Sequence, residues 1–201
     1  YYPVEYMTAL LSAWKNDIEK CAQYVAESKA MGLEVLPPDV NTSGYDFVTE
    51  DRTEQTAAIR FGLGAVKNVG QGAVELIIKS RQQSGPFKDL NDFARRVDLR
   101  AVGNRALECL IRVGGLDSFG ERRSLLEGLE TIASISESHF RAKDSGQLSF
   151  FGNVDGLEEE IRLPGISSLD PREKLEWERE LLGMYLSDHP LSAYQDVLKR
   201  S

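Results

Sequence analysis

The sequence has 201 residues, of which 41% are hydrophobic and 28% are charged. This length suits one domain or two small ones, and the composition excludes collagen-like, mucin-like and fully disordered chains. The formal net charge of −8 argues against a simple nucleic-acid binder. Only residues 60–130 carry a basic excess, with 12 basic and 9 acidic side chains.

Two features bear on where the chain works. No apolar run approaches about 18 residues, so neither a membrane span nor a membrane partner is predicted. Because the chain starts at Tyr1 rather than Met, it is interpreted as a piece of a longer protein. Cys21 and Cys109 lie in apolar, helix-like surroundings and are predicted to be buried free thiols, which favours a reducing, cytoplasmic setting. No metal-ligand spacing is found.

The first part of the chain predicts two helices followed by a small sheet. Apolar side chains recur at helical spacing over residues 4–14. Asn16 and Glu19 have the spacing of a capping box, which predicts the start of a second helix. Three short strands are then predicted, at residues 33–36, 47–48 and 58–61.

Residues 63–135 predict short helices joined by glycine-centred corners. Asp89 is predicted to cap a connecting helix, and residues 136–168, rich in Ser, Gly and acidic side chains, predict a linker. Asp170 followed by Pro171 predicts the start of a last helix.

The first corner, Val69-Gly70-Gln71-Gly72, fits the apolar-Gly-x-Gly pattern of a helix-hairpin-helix. Gly70 is expected to take a positive φ, and Gly72 would let a phosphate reach the backbone. The N–H groups up to Ala73 open a helix, where free donors and the helix dipole favour an anion. Additional positive charge is predicted from Lys67, Lys79 and Arg81.

A second, weaker corner is predicted at Val113-Gly114-Gly115-Leu116-Asp117. There Asp117 occupies the place of a second phosphate and is expected to cap the next helix instead. The basic side chains that could still reach a DNA backbone are Arg105, Arg112, Arg122 and Arg123.

The glycine pattern allows three other interpretations. A helical protein-interaction module would have similar corners and bind no phosphate, and this alternative stays open. A dinucleotide-binding fingerprint is rejected because no glycine occupies its third position after Gly62 and Gly64. A helix-hairpin-helix glycosylase is disfavoured because Asp89 and Asp92 look like a cap and an exposed face.

Taken together, the residues resemble the alpha subunit of bacterial DNA polymerase III over nearly the whole chain. The most specific parts are a proline-rich run and a closing Leu-Gly-x-Tyr-x-Ser-x-His-Pro-Leu pattern. The matching stretches are residues 2–7, 35–41, 59–63, 69–70, 85–87 and 182–191.

This resemblance implies a mainly α fold with a small β-sheet, built around a tandem helix-hairpin-helix domain. It also implies four regions: residues 1–58 as the end of the fingers domain, 59–138 as the tandem helix-hairpin-helix, 139–168 as a linker with a clamp-binding peptide, and 169–201 as a helix leading toward an oligonucleotide-binding barrel.

The resemblance further implies a role in DNA replication without catalysis by this piece. The parent enzyme would be a DNA-directed DNA polymerase, a nucleotidyltransferase, whose palm carboxylates and Mg site lie upstream. No catalytic residue, metal ligand or cofactor is therefore expected here. The expected partners are duplex DNA of any sequence, the sliding clamp and the rest of the polymerase chain.

The clamp-binding peptide implied by the resemblance is Gln147-Leu148-Ser149-Phe150-Phe151, between Gly146 and Gly152. Two adjacent phenylalanines in a polar linker are a liability unless something buries them. The alternative is that both rings pack onto the core of this chain.

Overall fold

The computed structural model describes residues 3–53, 56–145, 160–165 and 169–187. This part of the chain is mostly helical with one small sheet, which confirms the predicted fold class. The helices are α1 (Pro3–Ala13), α2 (Ile18–Ala30), α3 (Gln71–Ser84), α4 (Leu90–Arg96), α5 (Leu99–Val102), α6 (Asn104–Arg112), α7 (Arg122–Glu127), α8 (Leu129–Asp144) and α9 (Pro171–Leu182). The strands are β1 (Val35–Leu36), β2 (Val48–Thr53) and β3 (Thr56–Arg60), and a 3₁₀ turn spans Leu63–Ala65.

The sheet has β3 in the middle, paired with β1 on one side and β2 on the other. β1 runs parallel to β3, with Val35 opposite Ile59, whereas β2 and β3 form an antiparallel hairpin. Across the hairpin, the Arg60 guanidinium donates to both carboxylate oxygens of Glu50, at 2.6 and 2.7 Å. The sheet packs against α1 and leads directly into the 3₁₀ turn before α3.

Two of the predicted caps, at the starts of α4 and α9, are confirmed, and the one at the start of α2 is not. The carboxylates of Asp89 and Asp170 accept backbone N–H groups at the starts of α4 and α9, as predicted. The prediction that Asn16 caps α2 is wrong, because Asp17 is the N-cap and accepts the Lys20 N–H at 3.1 Å. The two neighbouring residues are both good caps, and the helix begins one position later than the capping-box spacing suggests.

The expected division between residues 1–58 and 59–138 falls inside β3. The Arg81 guanidinium of α3 donates to two carbonyls of loop 40–43, at 2.8 and 2.9 Å. An asparagine of this loop also exchanges two hydrogen bonds with the backbone of Phe87. The two parts therefore share one hydrophobic core, and their division into separate domains stays a prediction.

The predicted linker, residues 139–168, begins later than expected because α8 continues to Asp144. A serine on the inner face of α8 conceals its amphipathic pattern. The Ser136 hydroxyl is buried, donates to the Val97 carbonyl at 3.0 Å and accepts the Leu99 N–H at 3.1 Å. A polar residue thus occupies a core position that the periodicity alone marks as a break.

The next described residues, 160–165, are packed on the helices. Ile161 is buried, and its N–H donates to Asn91 Oδ1 of α4 at 2.8 Å. Leu163 lies so close to Gly120 and Gly128 that a Cβ at either position would approach a leucine methyl to 2.9 Å. This end of the predicted linker is therefore packed on the helices.

Both cysteines are buried and free, as predicted. Burial raises the pKa of the Cys21 thiol to about 11, and Asp17 acts in the same direction. The reactive thiolate form of Cys21 is therefore scarce at neutral pH. Among the described helices, none is both long and apolar enough to cross a lipid bilayer.

Candidate nucleic-acid interface

The first corner lies where the 3₁₀ turn reverses direction into α3. The prediction that Gly70 takes a positive φ is wrong, because Gly70 is the N-cap of α3 with φ −74°. The reversal occurs two residues earlier, at Asn68, where φ is 66°. Asparagine tolerates this left-handed conformation better than most residues, so the positive φ expected at Gly70 occurs at Asn68 instead. Val69 and Ala73 are buried and anchor the corner on the core.

The start of α3 is open. No side chain among the described residues caps it, and no acidic residue lies in its first turn. The first N–H groups of a helix have no intrahelical partner, so those of Gln71, Gly72 and Ala73 point outward from the helix start. An added Cβ at Gly70 or Gly72 would meet nothing within 4 Å in the described structure. Neither packing nor φ therefore explains these glycines, whereas close approach of a ligand would.

The three lysines and arginines predicted beside this corner differ in availability. Lys67 is exposed immediately before it. Lys79 is also exposed, but it lies about 12 Å along the axis of α3 from the helix start. The prediction that Arg81 adds positive charge at the corner is wrong. Its guanidinium donates to the carbonyls of loop 40–43, so it is not available to a phosphate. Burial lowers the pKa of Arg81, and Asp39 opposes this.

One acidic side chain stands close to the corner. Glu75, one turn into α3, accepts a hydrogen bond from the Gln71 amide at 2.6 Å, and both side chains are exposed. Its negative charge opposes the attraction of the helix start for an anion.

Helix α6 packs beside the first corner and brings Arg105 to it. The Asn68 amide donates to Cys109 Sγ across 3.7 Å. Arg105 stands one helical turn before Cys109, on the same face of α6, and is exposed. Burial raises the pKa of the Cys109 thiol, while the Asn68 hydrogen bond and the charge of Arg105 act to lower it. Arg112 is also near enough to act on the Cys109 thiol, but its guanidinium is paired with Glu108 at 2.6 Å.

The second predicted corner, at residues 113–117, is wrong because it ends a helix rather than starting one. Gly114 has φ 90° and donates to the Ile111 carbonyl, and Gly115 donates to the Leu110 carbonyl at 2.8 Å. This pair of bonds is a Schellman motif, which closes the C-terminus of α6. Its N–H groups are therefore used within the chain, and the negative end of the helix dipole disfavours a phosphate there.

A side chain of the same chain also fills this second site. Arg122 is buried, donates to both carboxylate oxygens of Asp117 at 2.8 and 2.7 Å, and donates to the Arg112 carbonyl at 2.9 Å. The prediction that Asp117 caps the next helix is wrong, since Glu121 is the N-cap of α7 and Asp117 accepts hydrogen bonds from Arg122 instead. Arg122 is therefore not a phosphate ligand. Arg123 is partly engaged too, with Glu173 at 3.3 Å.

The true counterpart of the first corner lies at the start of α6. There α5 ends at Gly103, with φ 84°, and α6 follows without a side-chain cap among the described residues. The signal was present in the sequence as an internal repeat, because Val69-Gly70-Gln71-Gly72-Ala73-Val74 and Val102-Gly103-Asn104-Arg105-Ala106-Leu107 have identical or similar residues at every position but the fourth. In this repeat Arg105 takes the place of Gly72.

The surroundings of this counterpart are more acidic. A shallow groove of about 450 Å³ beside Asn104 is lined by Glu130 and Glu137 of α8 as well as by Arg100. Arg100 is paired with Asp98 at 2.7 Å, so it neutralises little of that charge. The start of α6 is thus a poorer anion site than the start of α3.

The predicted clamp-binding peptide, Gln147 to Phe151, lies outside the described residues. Within residues 3–53, 56–145, 160–165 and 169–187, no group of three or more His, Cys, Asp or Glu side chains could hold a metal ion.

Comparison with known proteins agrees with this geometry. A family model described as "Helix-hairpin-helix motif" matches residues 32–126, a range that includes both corners and also β1 to β3. The match begins well before residue 59, in line with the core that the two expected domains share.

The chain is also similar along almost its whole length to proteins named DNA polymerase III subunit alpha. That of Thermus aquaticus is 43% identical over 194 residues, which cover 96% of this chain and 15% of the relative. Those of Vibrio cholerae and Deinococcus radiodurans are 38% and 39% identical, covering 100% and 98% of this chain. The chain spans 17% and 14% of the length of these two relatives.

Proposed function

The chain belongs to the DNA polymerase III alpha subunit family, of which it spans one segment, and on this premise we propose that it holds the backbone of duplex DNA for a replicative polymerase. The observation that carries the proposal is the start of α3. It has no side-chain cap among the described residues, and open space surrounds Gly70 and Gly72. A phosphate oxygen can approach N–H groups there to hydrogen-bond distance, with the positive end of the helix dipole behind them.

Basic side chains complete this contact. Lys67 lies directly before the corner, and Arg105 lies on the face of α6 that packs beside it. The start of α6, with Arg105 in the repeat position of Gly72, provides a second and weaker contact to the backbone. Contacts of this kind position a protein on DNA and read no base.

The expected affinity is low and independent of sequence. The net charge is −8, and residues 60–130 have a basic excess of only three. A nonspecific dissociation constant of about 10⁻⁴–10⁻⁵ M at physiological salt follows for the isolated chain. In a whole polymerase, further contacts would raise the effective concentration of this site at the DNA.

The test is a fluorescence anisotropy titration with two duplexes of unrelated sequence at several salt concentrations. Gly72→Val places a branched side chain where the phosphate would lie, and it should weaken binding about tenfold by removing charge-assisted hydrogen bonds. Gly165→Val is the matched control, since Gly165 is also surrounded by open space in the described structure and lies outside both corners.

Equal affinity of the two glycine variants would contradict the phosphate contact. Binding that does not weaken with salt would favour the other candidate, a helical protein-interaction module. A strong preference for one duplex would contradict readout through the backbone alone.

The finer part of the proposal concerns the sliding clamp. The segment from Gln147 to Phe151 would extend into a groove of the clamp, with Leu148, Phe150 and Phe151 in apolar pockets. Support comes from the chain on both sides, which is fixed on the fold by α8 up to Asp144 and by the Ile161 to Asn91 hydrogen bond. The described residues on both sides of the peptide are therefore anchored on the fold.

Calorimetric titration with the clamp tests this part. Phe150→Ala together with Phe151→Ala should abolish clamp binding, because buried aromatic anchors carry about 2 kcal/mol or more each. The melting temperature should stay almost unchanged. A fall of several degrees would mean that the two rings belong to the core of this chain.

The remaining parts of the proposal come from the family. Catalysis and the Mg ions it needs would reside in the rest of the polymerase chain, which is also a partner of this segment. Two buried free cysteines fit a reducing, cytoplasmic location.

A further inference from the structure

The short segment before the first corner is held from two sides. On one side, the Lys67 N–H donates to the Leu181 carbonyl at the end of α9, at 3.0 Å. On the other side, the Asn68 side-chain amide donates to Cys109 Sγ of α6, at 3.7 Å. Asn68 is also the one non-glycine residue with a positive φ in the described chain. The direction in which α3 starts therefore depends on a residue whose backbone and side chain are both constrained.

The chemistry of this contact suits a fixed structural link. Burial raises the pKa of the Cys109 thiol, so the sulfur is present as a neutral thiol at physiological pH. A neutral sulfur is a weak acceptor, and the amide donates to it without introducing a charge next to the corner. Cys109 is 5% exposed, so the acceptor is buried, whereas Asn68 is exposed at the surface of the corner.

The same contact connects the two corners. Cys109 lies in α6, and the start of α6 is the second corner of the internal repeat. A hydrogen bond from Asn68 to Cys109 therefore fixes the first corner relative to the helix that carries the second. Two backbone contacts bind one duplex well only when their spacing matches that of the phosphates.

We infer that Asn68 and Cys109 are positioning residues for the DNA-backbone site, setting the orientation of the N–H groups at Gly70 to Ala73 relative to α6. This inference rests on the proposed function. Neither side chain touches the phosphate. Both act through the backbone between Asn68 and Gly72.

The test uses variants that remove the hydrogen bond between residues 68 and 109 while residue 68 keeps its positive φ. Asn68→Gly keeps the positive φ at little cost and removes the amide. Cys109→Ala removes the acceptor, and Cys109→Ser, of similar size, keeps an acceptor at the same place. Duplex affinity is measured by anisotropy across a salt series, and amide chemical shifts of Gly70 to Ala73 are measured by NMR.

We expect Asn68→Gly and Cys109→Ala each to weaken duplex binding about threefold, because the N–H groups at the corner are then less well oriented before the phosphate binds. The double variant should be no weaker than either single variant, because one contact is lost in all three. Cys109→Ser should retain the affinity of the original protein. The slope of affinity against salt should not change, because no charge is removed.

Several outcomes would overturn the inference. Full affinity in both single variants would do so, as would additive losses in the double variant or equal losses in Cys109→Ser and Cys109→Ala. Unshifted Gly70 to Ala73 amides would also overturn it. If Gly72→Val binds as well as Gly165→Val, the proposed DNA site itself fails. If Gly72→Val is weak and the Asn68 and Cys109 variants are not, only the positioning role fails.

Discussion

The chain contains two glycine pairs that look alike in sequence and stand at opposite ends of helices. Gly70 and Gly72 open α3, whereas Gly114 and Gly115 close α6. The first pair has open space around it and N–H groups without an intrahelical partner, and the second donates to the carbonyls of its own helix. The difference shows that the end of the helix, rather than the presence of glycine, decides whether a corner can bind an anion.

The two sites also use positive charge in opposite ways. At the end of α6, Arg122 is buried and neutralised by Asp117, so its charge stabilises the fold. At the start of α3, Lys67 is exposed. Variants at the two sites should therefore change different measurements, stability at one and affinity at the other.

The largest effect is expected at Gly114. A Cβ there would lie 2.1 Å from Arg122 Nη2, at a φ of 90° that other residues rarely adopt. Gly114→Ala should lower the free energy of unfolding by about 3 kcal/mol, through backbone strain and disruption of the buried arginine. Urea unfolding measures this. Gly70→Ala is the matched control and should cost much less stability, because only the poorer N-cap preference of alanine acts there, and equal losses in the two variants would contradict the comparison.

Arg122→Gln should have the next largest effect, a loss of about 2 kcal/mol in stability, because it removes hydrogen bonds of a buried charged group. Its affinity for duplex DNA, measured on the folded fraction, should stay unchanged. Arg105→Gln should show the reverse pattern, with weaker binding and the original melting temperature. A loss of affinity in folded Arg122→Gln would restore this residue as a DNA contact.

Lys67→Gln should weaken duplex binding about threefold, as for one exposed charge pair. Because one phosphate contact is lost, the slope of log affinity against log salt should decrease by about one. Anisotropy at four or more salt concentrations measures both values. Lys88→Gln, an exposed lysine outside the corners, serves as the control, and an equal change in its slope would mean that Lys67 acts only through net charge.

The smallest effect is expected at Glu75. Glu75→Gln removes a negative charge one turn into α3 and should strengthen duplex binding about twofold, since exposed charges of this kind interact weakly. Glu127→Gln, at an exposed residue of α7, makes the same charge change elsewhere. Identical gains in the two variants would argue against a phosphate at the α3 corner.

The sheet, the caps of α4 and α9, and the first corner could be predicted from the sequence, because each has a local signature of a few residues. The second corner was misplaced because a Schellman glycine and a hairpin glycine share one pattern, and only the repeat around Gly103 separates them. The free positive charge was also overestimated. Arg81 donates to carbonyls some forty positions away in the chain, and such a partner leaves no local signal.

The parallel pairing of β1 with β3 has a consequence for folding kinetics. The β2–β3 hairpin joins neighbours in sequence and can form within microseconds, whereas Val35 meets Ile59 only after the intervening chain has closed on itself. The Phe61 N–H then donates to the Leu36 carbonyl, which fixes the strand end from which the first corner is built. The corner therefore depends on one of the most nonlocal contacts of the sheet. A chain started at residue 59 would lack both partners of β3, and we expect its helices to form well before the first corner becomes ordered.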